Sequence, residues 1–250
     1  MGENQNAAIL AAGTGERLRA AAHGLPKPLV EVAGRTLLAL QAEALLDAGA
    51  DSVLAVVNSE TAGLIRERAV KLPPELELMV RDTPNSMETL FAIGERLRAG
   101  HFLLATVDAI VPRLEFRRFA AQACELAASP EASGFEGALA VVKWRGDHRP
   151  LFALVAADGL ICGLGGSETA LVTAGLYFFS TAIFRFVQPA RASRLGAMRE
   201  YLSYLIRAGM RLKAVEVSGA IDVDEASDLA AAHAMLGNQS GPAFVREGRE

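Results

Sequence analysis

The sequence predicts an α/β fold: a mainly parallel, doubly wound, Rossmann-like central sheet whose second half is mixed. Three observations carry this expectation. Short apolar runs of strand length alternate with helix-period segments through the first 111 residues. The connections are short, which suits strands joined through crossover helices and covered on both faces. After Val111 the alternation gives way to successive strand-like runs.

In order, strands are expected at Ala7–Ala11, Ser52–Val57, Leu76–Val80 and His101–Val107, with helices at Thr36–Ala48, Glu60–Lys71 and Met87–Ala99. Leu64, Ile65 and Val70 give the second of these helices an incomplete apolar stripe beside charged residues. A helix over Arg113–Ala128 follows, then a loop containing Ser129-Pro130 and Ser133-Gly134. Gly137–Lys143 and Leu151–Ala156 read as strands, Ala157-Asp158-Gly159 as a turn, and Leu160–Gly163 as a return strand. Ala170–Phe179 is rich in β-formers. Helices at Ala182–Val187 and Leu195–Ala208, a strand at Leu212–Val217 and a last helix at Glu225–Leu236 complete the domain. A single domain over residues 1–236 is expected, its halves meeting near 111, with a polar, frayed tail at 237–250.

The chain has 250 residues, of which 51% are hydrophobic, enough for a sizeable core. A net charge of -4 argues against a general nucleic-acid binder, since polyanions need a positive surface. Cys124 and Cys162 lie in no paired spacing, so neither a disulfide framework nor a zinc site is expected, and a reducing cytoplasm suits the chain. Met1–Asn6 lacks the basic and apolar regions of a signal peptide. Apolar stretches are broken by Gly, Pro or charge before bilayer-spanning length, so no membrane partner is expected. The oligomeric state is left open.

The strand Ala7-Ala8-Ile9-Leu10-Ala11-Ala12 runs into Gly13-Thr14-Gly15-Glu16-Arg17-Leu18. Glycines let a backbone approach phosphate closely, and exposed N–H groups bind its oxygens. Leu18 occupies the third glycine position of a dinucleotide fingerprint, and no Gly-Lys-Ser/Thr is present, which excludes both a Rossmann G-x-G-x-x-G and a P-loop. Alone, the loop is equally a plain turn. Arg17 can grip phosphate oxygens in a bidentate manner, and Lys27, framed by Pro26 and Pro28, is restricted in where its amine can go. Otherwise these are two solvated cations. Asp108 ends an apolar strand, where open α/β sheets place ligands or where a turn residue sits. Asp222, Asp224 and Asp228 precede or open the last helix and equally serve as N-terminal charge. His23, His101, His148 and His233 form no metal or triad spacing, and Trp144 stacks on a ligand or packs.

Taken together, Leu10-Ala11-Ala12-Gly13-x-Gly15-x-Arg17-Leu18, Pro26-Lys27-Pro28-Leu29 and Val32-Ala33-Gly34 resemble the nucleotidyltransferases that make nucleotide sugars and related compounds, the sugar-nucleotide pyrophosphorylase and MobA-like type. The resemblance runs over roughly Ala7 to Leu236 and implies a GT-A-like nucleotidyltransferase fold. It implies nucleotide contacts from Leu10, Ala11, Ala12, Gly13, Thr14 and Gly15, and catalytic roles for Arg17, Lys27 and Asp108. Asp108 and Asp222 are then Mg²⁺ ligands, which with phosphate oxygens satisfy that hard cation, while Asp224 remains an alternative second ligand and Asp228 is helix-starting charge. Asn85 and Ser86 fall where the family contacts base or ribose; both are also ordinary turn and cap residues, Ser86 the expected cap. Thr173-Ala174-Gly175-Leu176-Tyr177 is similar to the family's acceptor strand, implying acceptor contacts from Thr173 and Gly175.

The family's Glu-Lys-Pro acceptor segment is missing; Gly163-Leu164-Gly165-Gly166-Ser167 stands there instead. Lys143, Arg145, His148 and Arg149 offer other cations for a phosphorylated acceptor, or form a solvated hairpin. The implied partners are an NTP and a phosphorylated, sugar-phosphate-like small molecule, with pyrophosphate released. Cytidylyl or guanylyl transfer to a molybdopterin-type or alcohol-phosphate acceptor, and a nucleotide-binding regulatory protein without turnover, are the alternatives.

Overall fold

In the computed structural model, which describes residues 6–129, 134–146, 150–166 and 169–237, the first half alternates as expected. β1 (Asn6–Ala11) leads through the glycine loop to a short helix, α1 (Glu16–Ala21), and a 3₁₀ turn over Lys27–Leu29. A tight hairpin of β2 (Glu31–Val32) and β3 (Arg35–Thr36) follows, turning on Ala33 and Gly34, both at positive φ. Thr36 caps α2 (Leu37–Asp47), its Oγ1 accepting from the Ala39 N–H. Then come β4 (Ser52–Val57), α3 (Ser59–Glu67), β5 (Leu76–Val80), α4 (Ser86–Gly94), β6 (His101–Thr106) and β7 (Ala109–Ile110). Both α3 and α4 stop short of their expected ends. In α3 the reason is local, since Ala69 turns to a φ of 47° that no helix accommodates.

The second half opens with α5 (Arg113–Ala128), followed by β8 (Phe135–Lys143), β9 (Ala153–Val155), β10 (Ile161–Leu164) and β11 (Leu171–Ser180). The helix expected at Ala182–Val187 is instead a 3₁₀ turn over Thr181–Phe186 running into α6 (Val187–Ala192), with Pro189 in the first turn, where a missing N–H costs nothing. Last are α7 (Met198–Arg207), β12 (Arg211–Glu216), β13 (Ile221–Asp222) and α8 (Ala226–Gly237). Pro130, Ser133, Ser167, most of the polar tail (238–250) and the start of the chain lie outside the described residues.

Among the described residues the central sheet has seven strands, ordered β12-β8-β11-β6-β1-β4-β5. Only β11 runs against its neighbours, so the mixed half continues the same sheet. Alternate residues of β1 enter opposite layers. Ala7, Ile9 and Ala11 join the cluster covered by α2, α3, α5 and α8, while Ala8 and Leu10 join the one under α4, α6 and α7. Each fully buried Leu or Phe of these layers adds about 1.5–3 kcal/mol, which is ample to lock strand register.

The chain proceeds from β1 outward to β4 and β5, then returns to β6 on the other side of β1. That reversal opens a crevice at the carboxyl ends of β1 and β6, where an open α/β sheet accommodates a ligand.

Candidate active site

Lys27 stands at this crevice. Its residue is only 8% exposed, yet its ammonium donates to Asp108 Oδ2 at 2.7 Å and to Asp224 Oδ1 at 2.5 Å. Burial works against the charge, but the two carboxylates outweigh it and raise the lysine above its ordinary range. The other oxygen of Asp224, Oδ2, accepts from Arg17 at 2.6 Å. Burial likewise opposes ionisation of Asp224, and Lys27 and Arg17 overcome it, holding this carboxyl below the usual range. The two cations singled out in the sequence are thus joined through one aspartate.

Asp108 is held by backbone on both sides. The Val223 N–H donates to its carbonyl at 3.0 Å, and β13 pairs with β7 so that Asp222 lies opposite Ala109. Gln41, buried in α2, donates to the Ala109 carbonyl at 2.5 Å. This pairing brings Asp222 within hydrogen-bonding reach of Asp108. Asp222 is itself solvent-exposed, with the Asp108 and Asp224 carboxyls beside it. Partial desolvation first, then the charges of Asp108 and Asp224, push its carboxyl above the usual carboxylate range. Asp228 is the helix-starting charge the sequence suggests, accepting from the Asp224 and Glu225 N–H groups at 3.0 and 2.7 Å.

This donor set fits a hard divalent cation. Asp108 and Asp222 adjoin, and only one oxygen of Asp108 is taken by Lys27, whereas both oxygens of Asp224 are engaged by Lys27 and Arg17. No group of three or more ligating side chains is preassembled among the described residues, so any cation there would complete its shell with water or phosphate oxygens.

The glycine loop lies against the same lysine. Gly15 has a φ of 62°, and a Cβ there would stand 2.6 Å from Lys27 Cβ. Gly13 is exposed, and a Cβ there would meet nothing within 4 Å. Gly15 is thus demanded by the fold, and Gly13 leaves room beside the backbone. Thr14 is also exposed, while Leu10, Ala11 and Ala12 are buried, with the Leu10 carbonyl accepting from the Val107 N–H.

One sequence expectation is revised, and the surroundings of two other named residues are now defined. Asn85, not Ser86, caps α4, its Oδ1 accepting from the Glu88 N–H at 3.0 Å; the Ser86 hydroxyl is taken by the Met198 N–H at 3.1 Å, at the start of α7. Gly175 sits at a bulge of β11 with φ 67°, where a Cβ would strike Ala109 Cβ and Thr106 Oγ1, so packing against the Asp108 segment already demands a glycine. The Thr173 side chain lies beside Tyr177, whose phenol burial pushes up. Trp144 packs edge-on to Phe152. Lys143 lies 3.9 Å from Glu216, Arg145 is exposed, and His148 and Arg149 lie outside the described residues. Two open hollows of about 420 and 650 Å³ flank α2 and α5, but neither is lined by Lys27, Asp108 or Asp224.

Comparison with known proteins shows the family and the fold. A family model described as the MobA-like NTP transferase domain matches residues 7–173. The chain is 37% identical over 112 residues to the bifunctional IPC transferase and DIPP synthase of Rubrobacter xylanophilus, covering 43% of this chain and 24% of that protein. It is 39% identical over 71 residues to the mannose-1-phosphate guanylyltransferase catalytic subunit beta of Drosophila melanogaster, covering 28% of this chain and 19% of that protein. The matches thus span about a quarter or less of these relatives. In fold, the chain is similar to the inositol-1-phosphate CTP transferase from T. maritima, with a TM-score of 0.76 at 19% identity over 97% of this chain and 99% of that one.

Proposed function

Because the chain belongs to the MobA-like NTP transferase family, we propose that it transfers a nucleoside monophosphate from an NTP to a phosphorylated small molecule, a sugar or inositol phosphate, and releases pyrophosphate. The observation that carries this reading is the buried Lys27 ammonium between Asp108 and Asp224, against the glycine loop at the crevice. An acceptor-phosphate oxygen forms a bond to the α-phosphorus as the bond to the bridging β-oxygen breaks, and pyrophosphate leaves with the electron pair. That acceptor oxygen is already ionised at neutral pH, so no general base is required.

In this reading the N–H groups of Gly13–Gly15 and the Arg17 guanidinium bind the outer phosphates. Lys27 turns toward the α-phosphate, where charge accumulates during transfer. The triphosphate replaces Asp224 as the partner of both cations. Asp108 and Asp222 would hold Mg²⁺, which supplies charge neutralisation on the phosphates. The remaining work is alignment, which the glycine-loop N–H groups, Arg17 and Lys27 together suit.

The test is a pyrophosphate-release screen crossing four NTPs with sugar, inositol and amino-alcohol phosphates, with and without Mg²⁺. Release with at least one acceptor is expected. Mg²⁺-dependent NTP binding with no release for any acceptor sinks the transferase reading in favour of a nucleotide-binding regulator.

A further inference from the structure

Asn58 follows β4 and is 9% exposed. Its Oδ1 caps α3, accepting from the Thr61 N–H at 2.8 Å, and its Nδ2 donates to the Ala12 carbonyl at 3.2 Å. That carbonyl belongs to the peptide plane whose other end is the Gly13 N–H. In a trans peptide the two groups point in opposite directions. Holding the Ala12 carbonyl toward Asn58 therefore turns the Gly13 N–H away from it, at a residue whose surroundings are open. The next residue extends the connection. The Ser59 N–H and hydroxyl donate to the two oxygens of Asp82 at 2.8 and 2.6 Å. Asp82 opens the loop after β5, which is itself tied to α4 by the Asn85 cap and by the Thr83 and Thr89 hydroxyls, 2.6 Å apart.

We infer that Asn58 is a positioning residue for the Ala12–Gly15 loop, and that with Ser59 and Asp82 it straps this loop to the 82–85 loop so that the two move as one body. The inference rests on the proposed function only for what the first loop binds. Asparagine suits the position because the site needs an acceptor and a donor on one short side chain. Aspartate keeps the cap and loses the donor, setting a carboxylate against the Ala12 carbonyl. Alanine loses both.

The test compares Asn58→Asp, Asn58→Ala and Asp82→Ala by hydrogen exchange and steady-state kinetics. In Asn58→Asp, amides of residues 10–18 are expected to exchange about five-fold faster while those of 59–67 keep their protection, as for one lost hydrogen bond. Asp82→Ala moves residues 10–18 in the same direction, and Asn58→Ala additionally loosens 59–67. The KM for the NTP rises about ten-fold in Asn58→Asp, with kcat and the acceptor KM within about two-fold of wild type. Unchanged exchange at 10–18 in Asn58→Asp overturns the positioning role, as does an equal rise in both KM values; unchanged exchange there in Asp82→Ala overturns the strap. Faster loop exchange in a protein whose wild type binds NTP but releases no pyrophosphate supports the strap and sinks the transfer reading instead.

Discussion

Replacing Gly15 with alanine should damage the fold and the site together, and the structure allows the size to be worked out. The residue sits at φ 62°, where a side chain costs about 1–2 kcal/mol. Its new Cβ would stand 2.6 Å from Lys27 Cβ, and relieving such overpacking typically costs about 1–3 kcal/mol. Lys27 cannot retreat freely, because Asp108 and Asp224 hold its other end. The expected destabilisation is therefore about 2–5 kcal/mol by urea unfolding. A displacement of Lys27 by about an ångström should lower turnover roughly 100-fold per folded molecule. Gly13→Ala is the control, since its Cβ meets nothing within 4 Å and its backbone is not left-handed. It should keep its stability within about 0.5 kcal/mol but raise the KM for NTP, because the methyl occupies space the proposed function assigns to the triphosphate. Gly15→Ala with wild-type stability and rate would refute the reasoning.

Further outcomes follow from the same site. Lys27→Met should lose turnover by about 10²–10³-fold, the size expected for a group serving transition-state charge, in pyrophosphate-release assays on protein with unchanged circular dichroism. A folded variant at the wild-type rate excludes Lys27 from catalysis. If the proposed site holds Mg²⁺, the cation with NTP raises the melting temperature of the wild type, and Asp108→Asn and Asp222→Asn should abolish that rise; an undiminished rise in either removes that residue from the proposed metal site. Glu88 on α4 is held below the usual carboxylate range first by its hydrogen bonds from Arg191. A depressed folded value contributes stability above the unfolded range, lost as pH falls through the folded one. Arg191→Gln should thus cost under about 1 kcal/mol at pH 7, the pair being partly exposed. The two unfolding curves should converge on acidification, and a gap that stays constant with pH assigns the loss to packing instead.

Strands β1, β4, β5 and β6 were legible because each is a short apolar run closed by turn residues, and α5 because its apolar residues recur at helical spacing through Phe116, Phe119 and Ala123. The β2–β3 hairpin was not, since two-residue strands carry no periodicity and its turn places Ala33 at φ 52°, a conformation its side chain disfavours. The Ala33 N–H donates to His233 on α8, 200 residues away. At Asn85-Ser86 either side chain can cap a helix, and the choice fell to Asn85 once the Ser86 hydroxyl met the start of α7. Asn58 looks in sequence like any residue before a helix, and its second bond, to Ala12, spans 46 positions.

The sequence by itself determined the layered α/β architecture and the identity of the charged groups, because apolar periodicity selects elements locally and Arg17, Lys27, Asp108 and Asp222 stand in motifs readable along the chain. Only the tertiary structure decided how those charges are partnered. Asp224, set aside in sequence as helix-end charge or an alternative metal ligand, joins Arg17 to Lys27 across more than 190 residues. Asp222 meets Asp108 because β13 pairs with β7. The physical reason is that hydrogen bonds and ion pairs act over a few ångströms of space, and which distant residues come that close is set by strand order and helix packing rather than by neighbours in the chain.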